Sequence, residues 1–143
     1  MTSLAKTAGL GALLSSLLFQ SGLVRLQYPD PSRYPVRGID GSRHQGSIDW
    51  ARVSRQRLAF AYIKASEGGD WVDPKFGENG RGAQEAGLAP GAYQLFTFCK
   101  GGAEQADQFL RVLSQVRGPM LPPAVDLEFG GNCAARPSPE ALA

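Results

Sequence analysis

Leu121-Pro122-Pro123-Ala124-Val125-Asp126-Leu127-Glu128-Phe129-Gly130-Gly131 is a short apolar run ending in two carboxylates spaced two apart. Side chains alternate faces along a strand. A strand over residues 124–129 therefore points Asp126 and Glu128 one way and Val125, Leu127 and Phe129 the other. Two strand steps set the carboxylate-bearing Cβ atoms about 6.5–7 Å apart. The Gly-Gly that follows ends the strand and admits a ligand closely. Paired carboxylates at a strand's C-terminal end suit general acid and base work on a glycosidic bond, although a solvated strand end would read the same. The surrounding pattern decides.

That pattern alternates strands with helices. Strands are predicted over 36–40, ending in Asp40, over 58–66, ending before Glu67-Gly68-Gly69, and over 91–98, which is rich in aromatics. Helices are predicted between them over 48–56, 74–86 and 103–116. The last carries Ala103, Ala106, Phe109, Leu110, Leu113 and Val116 at helical spacing. Ser47 is the expected N-cap of the first helix and Gly87 the stop of the second. Strands alternating with helices form parallel βαβ units, whose ligands bind at the carboxyl ends of the strands.

Those ends carry a family's residues. Gly38-Ile39-Asp40-Gly41-Ser42-Arg43-His44-Gln45-Gly46-Ser47-Ile48-Asp49-Trp50 resembles the opening of the glycoside hydrolase family 25 lysozymes, the Chalaropsis-type N-acetylmuramidases. Further blocks follow in the same order. They are Phe60-Ala61-Tyr62-Ile63-Lys64-Ala65-Ser66-Glu67-Gly68, Asp73-Pro74-Lys75-Phe76, Gly91-Ala92-Tyr93 with Phe96, and Leu121–Glu128. The resemblance implies an α/β fold, an irregular β/α (TIM-like) barrel of the family 25 type. It also implies cleavage of the β-1,4 bond between N-acetylmuramic acid and N-acetylglucosamine in peptidoglycan. Glu128 carries over as the general acid, with Asp126 and Asp40 as carboxylates that stabilise the transition state. No cofactor is implied, and the partner is the peptidoglycan glycan strand.

These roles make physical sense. Glu128 must hold a proton near neutral pH, which neighbouring Asp40 and Asp126 favour by like-charge repulsion. Tyr62, Tyr93 and Phe96 are candidates for the sugar-binding surface, as is Phe98, with barrel packing the competing role. Lys64 shares a predicted face with Tyr62 and Ser66, and a buried ammonium there needs an acidic partner. His44, the single histidine, is expected at the surface. One histidine and two cysteines do not make a usual zinc site without carboxylate help. Nucleotide-binding and serine-hydrolase motifs are missing.

The chain departs from the family's pattern in places. Many members have Val where Gly41 stands, His where Gln94 stands and an aromatic where Gly80 stands. The three glycines Gly77, Gly80 and Gly82 in one helix are each expected to cost about 1 kcal/mol relative to alanine. A (β/α)₈ barrel takes about 250 residues, whereas residues 36–143 supply four strands. The chain therefore reads as a barrel truncated after about four strands, the N-terminal half of such a domain. Alone, it is expected to be a weak or inactive enzyme. Two other readings are open, a non-catalytic peptidoglycan-binding remnant and a family 18 chitinase-like hydrolase, which also ends a strand in D-x-E.

Three domains are expected: an N-terminal apolar helix in 1–25, a Pro-rich tether in 26–35 and the partial hydrolase domain in 36–143. Lys6 precedes an apolar stretch over 7–19, the pattern of a signal peptide or signal-anchor helix. The product is then exported, secreted or membrane-anchored, with membrane contact through this segment. Of the charged residues, four basic and one acidic lie in 1–37, against eleven basic and twelve acidic beyond. The net charge of +2 is thus an N-terminal effect, with no basic stripe for nucleic acid. Cys99 and Cys133 fall just past the third and fourth strands, and export favours a disulfide between them over two free thiols.

Overall fold

The computed structural model describes residues 29–130 and 132–135. The chain divides into two units, Met1–Pro35 and Val36–Ala143. In the first, the described residues form a turn, with the Arg33 and Tyr34 amides donating to the Asp30 carbonyl and the Ser32 amide to its carboxylate. Those Ser32 bonds hold the exposed Asp30 carboxyl below its ordinary range. Among the described residues no helix is long and apolar enough to cross a membrane. The apolar helix expected in 1–25 lies outside them.

The second unit runs β1 (Gly38–Gly41), a 3-10 turn (Arg43–Gln45), α1 (Trp50–Ser54), β2 (Phe60–Glu67), β3 (Trp71–Val72), α2 (Phe76–Glu85), β4 (Ala89–Leu95), α3 (Gly102–Leu113) and β5 (Ala124–Asp126). Its sheet has the order β1-β2-β4-β5, all parallel, with β3 antiparallel to the end of β2. The expected mixed α/β fold with a parallel sheet is present. The described strands form an open sheet with β1 and β5 at its edges, so a closed barrel is not what they make.

Alternation along β2 explains the layering. Ala61, Ile63 and Ala65 are buried and join Trp50, Phe76, Ala83, Leu88, Ala92, Phe109 and Val112 in one apolar core. Helix α2 contributes Phe76, Asn79 and Ala83, and α3 contributes Gln105, Phe109 and Val112, each set at helical spacing. In-register parallel partners share a face. Asp40 pairs with Tyr62, Lys64 with Tyr93, and Leu95 with Asp126, which places Asp40, Tyr62, Tyr93 and Asp126 together on the face opposite the core.

Several local expectations need correction. Asp49 caps α1 in place of Ser47, its carboxylate accepting from the Arg52 amide at 2.9 Å. The register between β2 and β4 slips between Lys64 and Ser66, so Ser66 pairs with Gln94 and leaves the Lys64 face. The extra residue turns Glu67 towards Lys64, whose ammonium it meets at 2.6 Å. In a regular strand, residues three apart would point to opposite faces. Strand β5 stops at Asp126, so Glu128 lies beyond the ladder and its aim is not set by strand alternation. Gly82 is not slack in α2, because a Cβ there would meet the Trp50 indole at 2.3 Å.

Candidate active site

Asp40 and Asp126 sit near the C-terminal ends of β1 and β5, the two edges of the sheet, with β2 and β4 between them. Three strand intervals would separate them by about 14 Å in a flat sheet. Tyr93 of β4 lies between and senses both. Its pKa is raised to about 12, first by burial and then by the carboxylates of Asp40, Asp126, Asp73 and Glu128, in that order. Four carboxylates thus act on one phenol, which stays protonated in neutral water and so keeps a proton to donate. Asp40 and Glu128 are exposed, and Asp126 is half-buried.

Asp73, quoted above for its motif but given no role, is buried and structural. Its carboxylate accepts from the Arg43 amide at 2.9 Å and the Lys75 amide at 2.8 Å, tying the loop after β1 to the start of α2. That loop is itself locked by Ser42 and Gln45 in a reciprocal capping box. His44 is exposed on it, as expected. Beside it Trp71 carries the Arg43 guanidinium and the Lys64 ammonium, each 5.2 Å from the centre of its indole. Gln94, where His is common in the family, is buried and donates to the Gly68 carbonyl at 3.1 Å, joining β4 to the turn after β2.

The three aromatic candidates differ in how far they are committed. Tyr62 donates its hydroxyl to the Pro122 carbonyl at 2.8 Å, fastening the segment that leads into β5. Its ring covers Gly91, where a Cβ would lie 2.6 Å from Tyr62 Cε1, so only glycine fits beneath it. Phe96 donates its amide to the Asp126 carbonyl at 2.9 Å, and its ring stacks in tilted fashion against Phe98, 6.0 Å between centroids. Tyr93 senses all of the site's carboxylates, while Tyr62 is the direct cross-strand partner of Asp40.

Past β5, the side chain of Asn132 takes over the role of the ladder, a function that sequence reasoning missed. It bonds the Phe96 and Glu128 carbonyls at 2.7 and 2.9 Å and the Phe98 amide at 3.0 Å. The next residue, Cys133, is joined to Cys99 as a disulfide, with Cα atoms 6.0 Å apart. Asn after Gly-Gly is a turn signal, but nothing local says that its amide reaches another strand.

Carboxylates thus stand at the carboxyl ends of the parallel strands of an α/β scaffold, where such folds bind their ligands. The sequence pattern of the glycosyl hydrolases family 25 matches residues 39–142. The chain belongs to that family. It is similar to the uncharacterised protein YegX of Escherichia coli (strain K12), 40% identical over 111 residues that cover 74% of this chain and 40% of that protein. It is 44% identical over 75 residues to Lysozyme M1 of Streptomyces globisporus, covering 52% of this chain and 26% of that one. The solved structure of a family 25 glycosyl hydrolase from Bacillus anthracis superposes with a TM-score of 0.64 at 39% identity, covering 72% of this chain and 46% of that chain. The chain thus spans less than half the length of these relatives.

Proposed function

We propose that the chain acts in peptidoglycan hydrolysis, as a lysozyme cleaving the β-1,4 bond between N-acetylmuramic acid and N-acetylglucosamine. The observation that carries this reading is the shared face of Asp40, Tyr93 and Asp126 at the strand ends of a family 25 chain, with Glu128 two residues past Asp126. Glu128 gives its proton to the glycosidic oxygen as the bond to C1 breaks. The positive charge that develops on the sugar is stabilised by the carboxylates of Asp126 and Asp40. Glu128, now ionised, later takes the proton of the attacking water. Tyr93 donates from its phenol to the sugar or to a carboxylate. The rings of Tyr62 and Phe96 supply apolar surface beside it, with the Tyr62 hydroxyl held by Pro122.

The substrate lies outside the cytoplasm. The apolar stretch over 7–19 is accordingly read as an export signal or membrane anchor, and 26–35 as the tether behind it.

The test is release of reducing ends from purified peptidoglycan. General acid catalysis contributes about 10²–10⁴-fold, so Glu128→Gln should lose at least the lower figure. Asp126→Asn and Asp40→Asn should lose activity while keeping the fold, since each removes charge and not volume. Near-wild-type turnover in Glu128→Gln would remove the acid assignment. A second reading, glycan binding without turnover, draws on the exposure of Glu128, because an acid works best in a site closed to bulk water. Binding to insoluble peptidoglycan with no release of reducing ends would favour it.

A further inference from the structure

We propose that Asn132 is a positioning residue that aims Glu128, an inference that rests on the hydrolase reading above. The β4–β5 ladder ends with Leu95 opposite Asp126, followed by one further bond from the Phe96 amide to the Asp126 carbonyl. Beyond it the hold on the Glu128 main chain comes from a side chain. Asn132 Nδ2 donates to the Glu128 carbonyl at 2.9 Å and to the Phe96 carbonyl at 2.7 Å. Its Oδ1 accepts from the Phe98 amide at 3.0 Å and the Cys133 amide at 2.9 Å. Two carbonyls on one side and two amides on the other fix the orientation of the amide group and fill its two donors and two lone pairs.

The consequence falls on Glu128 because its side chain is exposed. An exposed carboxyl takes its aim chiefly from the main chain that carries it. Asn132 ties that main chain to the end of β4, the strand that carries Tyr93. The Cys99–Cys133 disulfide delivers Asn132 to the place. An aspartate at position 132 would keep the shape and the two acceptors but lose both donations, and would repel the two carbonyls.

The experiment is a kinetic cycle on the full chain acting on purified peptidoglycan, with Asn132→Ala, Asn132→Asp, Glu128→Gln and the double variants. A misplacement of about 1 Å costs on the order of 10²-fold. Each Asn132 variant should therefore lower kcat by about 10–100-fold, with KM held within about twofold. In the Glu128→Gln background the same change should cost under about twofold, because the group being aimed is no longer an acid. Equal losses in both backgrounds, or an unchanged kcat, would overturn the proposal. A second readout is independent of turnover. The ¹⁵N order parameter of Glu128 should fall from the rigid value of about 0.85 towards 0.6 in Asn132→Ala or Asn132→Asp. An unmoved order parameter would overturn the inference as well. Should the wild-type chain release no reducing ends, the hydrolase reading falls by itself, and the order parameter alone decides whether Asn132 holds Glu128.

Discussion

Trp50 of α1 and Gly82 of α2 are packed so closely that a Cβ on Gly82 would lie 2.3 Å from the indole Cδ1 and 2.8 Å from Nε1. Gly77 and Gly80, in the same helix, face open space. Three glycines that look alike in the sequence therefore have opposite meanings. Gly82→Ala should destabilise by about 1–3 kcal/mol through overpacking. Gly77→Ala and Gly80→Ala should each stabilise by about 0.5–1 kcal/mol. Urea denaturation of the three variants checks this, and a Gly82→Ala variant as stable as the wild type would show that the indole moves aside freely.

Tyr93 gives a second prediction. Its pKa, ordinarily 10.0, is pushed up to about 12. The folded protein therefore holds this proton more tightly than the unfolded chain does. The associated stability is complete below pH 10 and declines as pH rises towards 12. Absorbance titration at high pH should show one late-ionising tyrosine, missing in Tyr93→Phe. Asp40→Asn should bring that ionisation to lower pH, since it removes the carboxylate that repels the phenolate most. A midpoint unmoved by Asp40→Asn would place Asp40 too far away to share a site with Tyr93.

The third concerns the disulfide. Cys99 and Cys133 close a loop with a sequence separation of 34. In the chain-entropy picture such a link contributes about 3–4 kcal/mol. Cys99→Ser with Cys133→Ser should lower stability by an amount of that order. Mass spectrometry of the protein with and without reductant reads the bond directly. Two thiols open to alkylation before reduction would remove it.

The fourth concerns export. Deleting residues 1–25 should leave the protein in the cytoplasm, as cell fractionation would show. A deletion variant still found outside it would mean that the apolar N-terminal stretch is not the targeting segment.

The strand and helix order was legible in the sequence because apolar periodicity changes clearly between β2, α2, β4 and α3. Gly87 was legible as a stop for the same kind of reason, and it adopts φ 83°, a left-handed value that glycine accepts freely. An acidic partner for Lys64 was also foreseeable from the cost of burying an ammonium, and Glu67 supplies it. The rest depended on geometry with no local signature. Two residues, Trp71 and Val72, make a strand only because the end of β2 is there to pair with. Ser47 and Asp49 are both good caps, and the fold chooses between them by where α1 begins. Among the described residues strand β5 has β4 as its one neighbour, with Asn132 in place of the next rung. Of the candidate site, the common face of Asp40, Tyr93 and Asp126 was legible from strand alternation, whereas Glu128 lies past the end of β5, where alternation no longer applies. Asn132 and the structural duty of Asp73 act across 36 and 30 residues of chain, beyond any sequence window.

The strand order β1-β2-β4-β5 also bears on how the molecule is made. Each parallel strand pairs with the parallel strand synthesised just before it, so none waits for a partner still to be translated. Among the described residues, a nascent chain that has emerged as far as Leu95 carries three of the four parallel strands and all of the buried apolar core except Phe109 and Val112. Domains fold from the N-terminus during synthesis at about 5–20 residues per second. Asp126 and Glu128 are thus added to a sheet already laid down, and the acidic cluster is completed only after the first three parallel strands are in place.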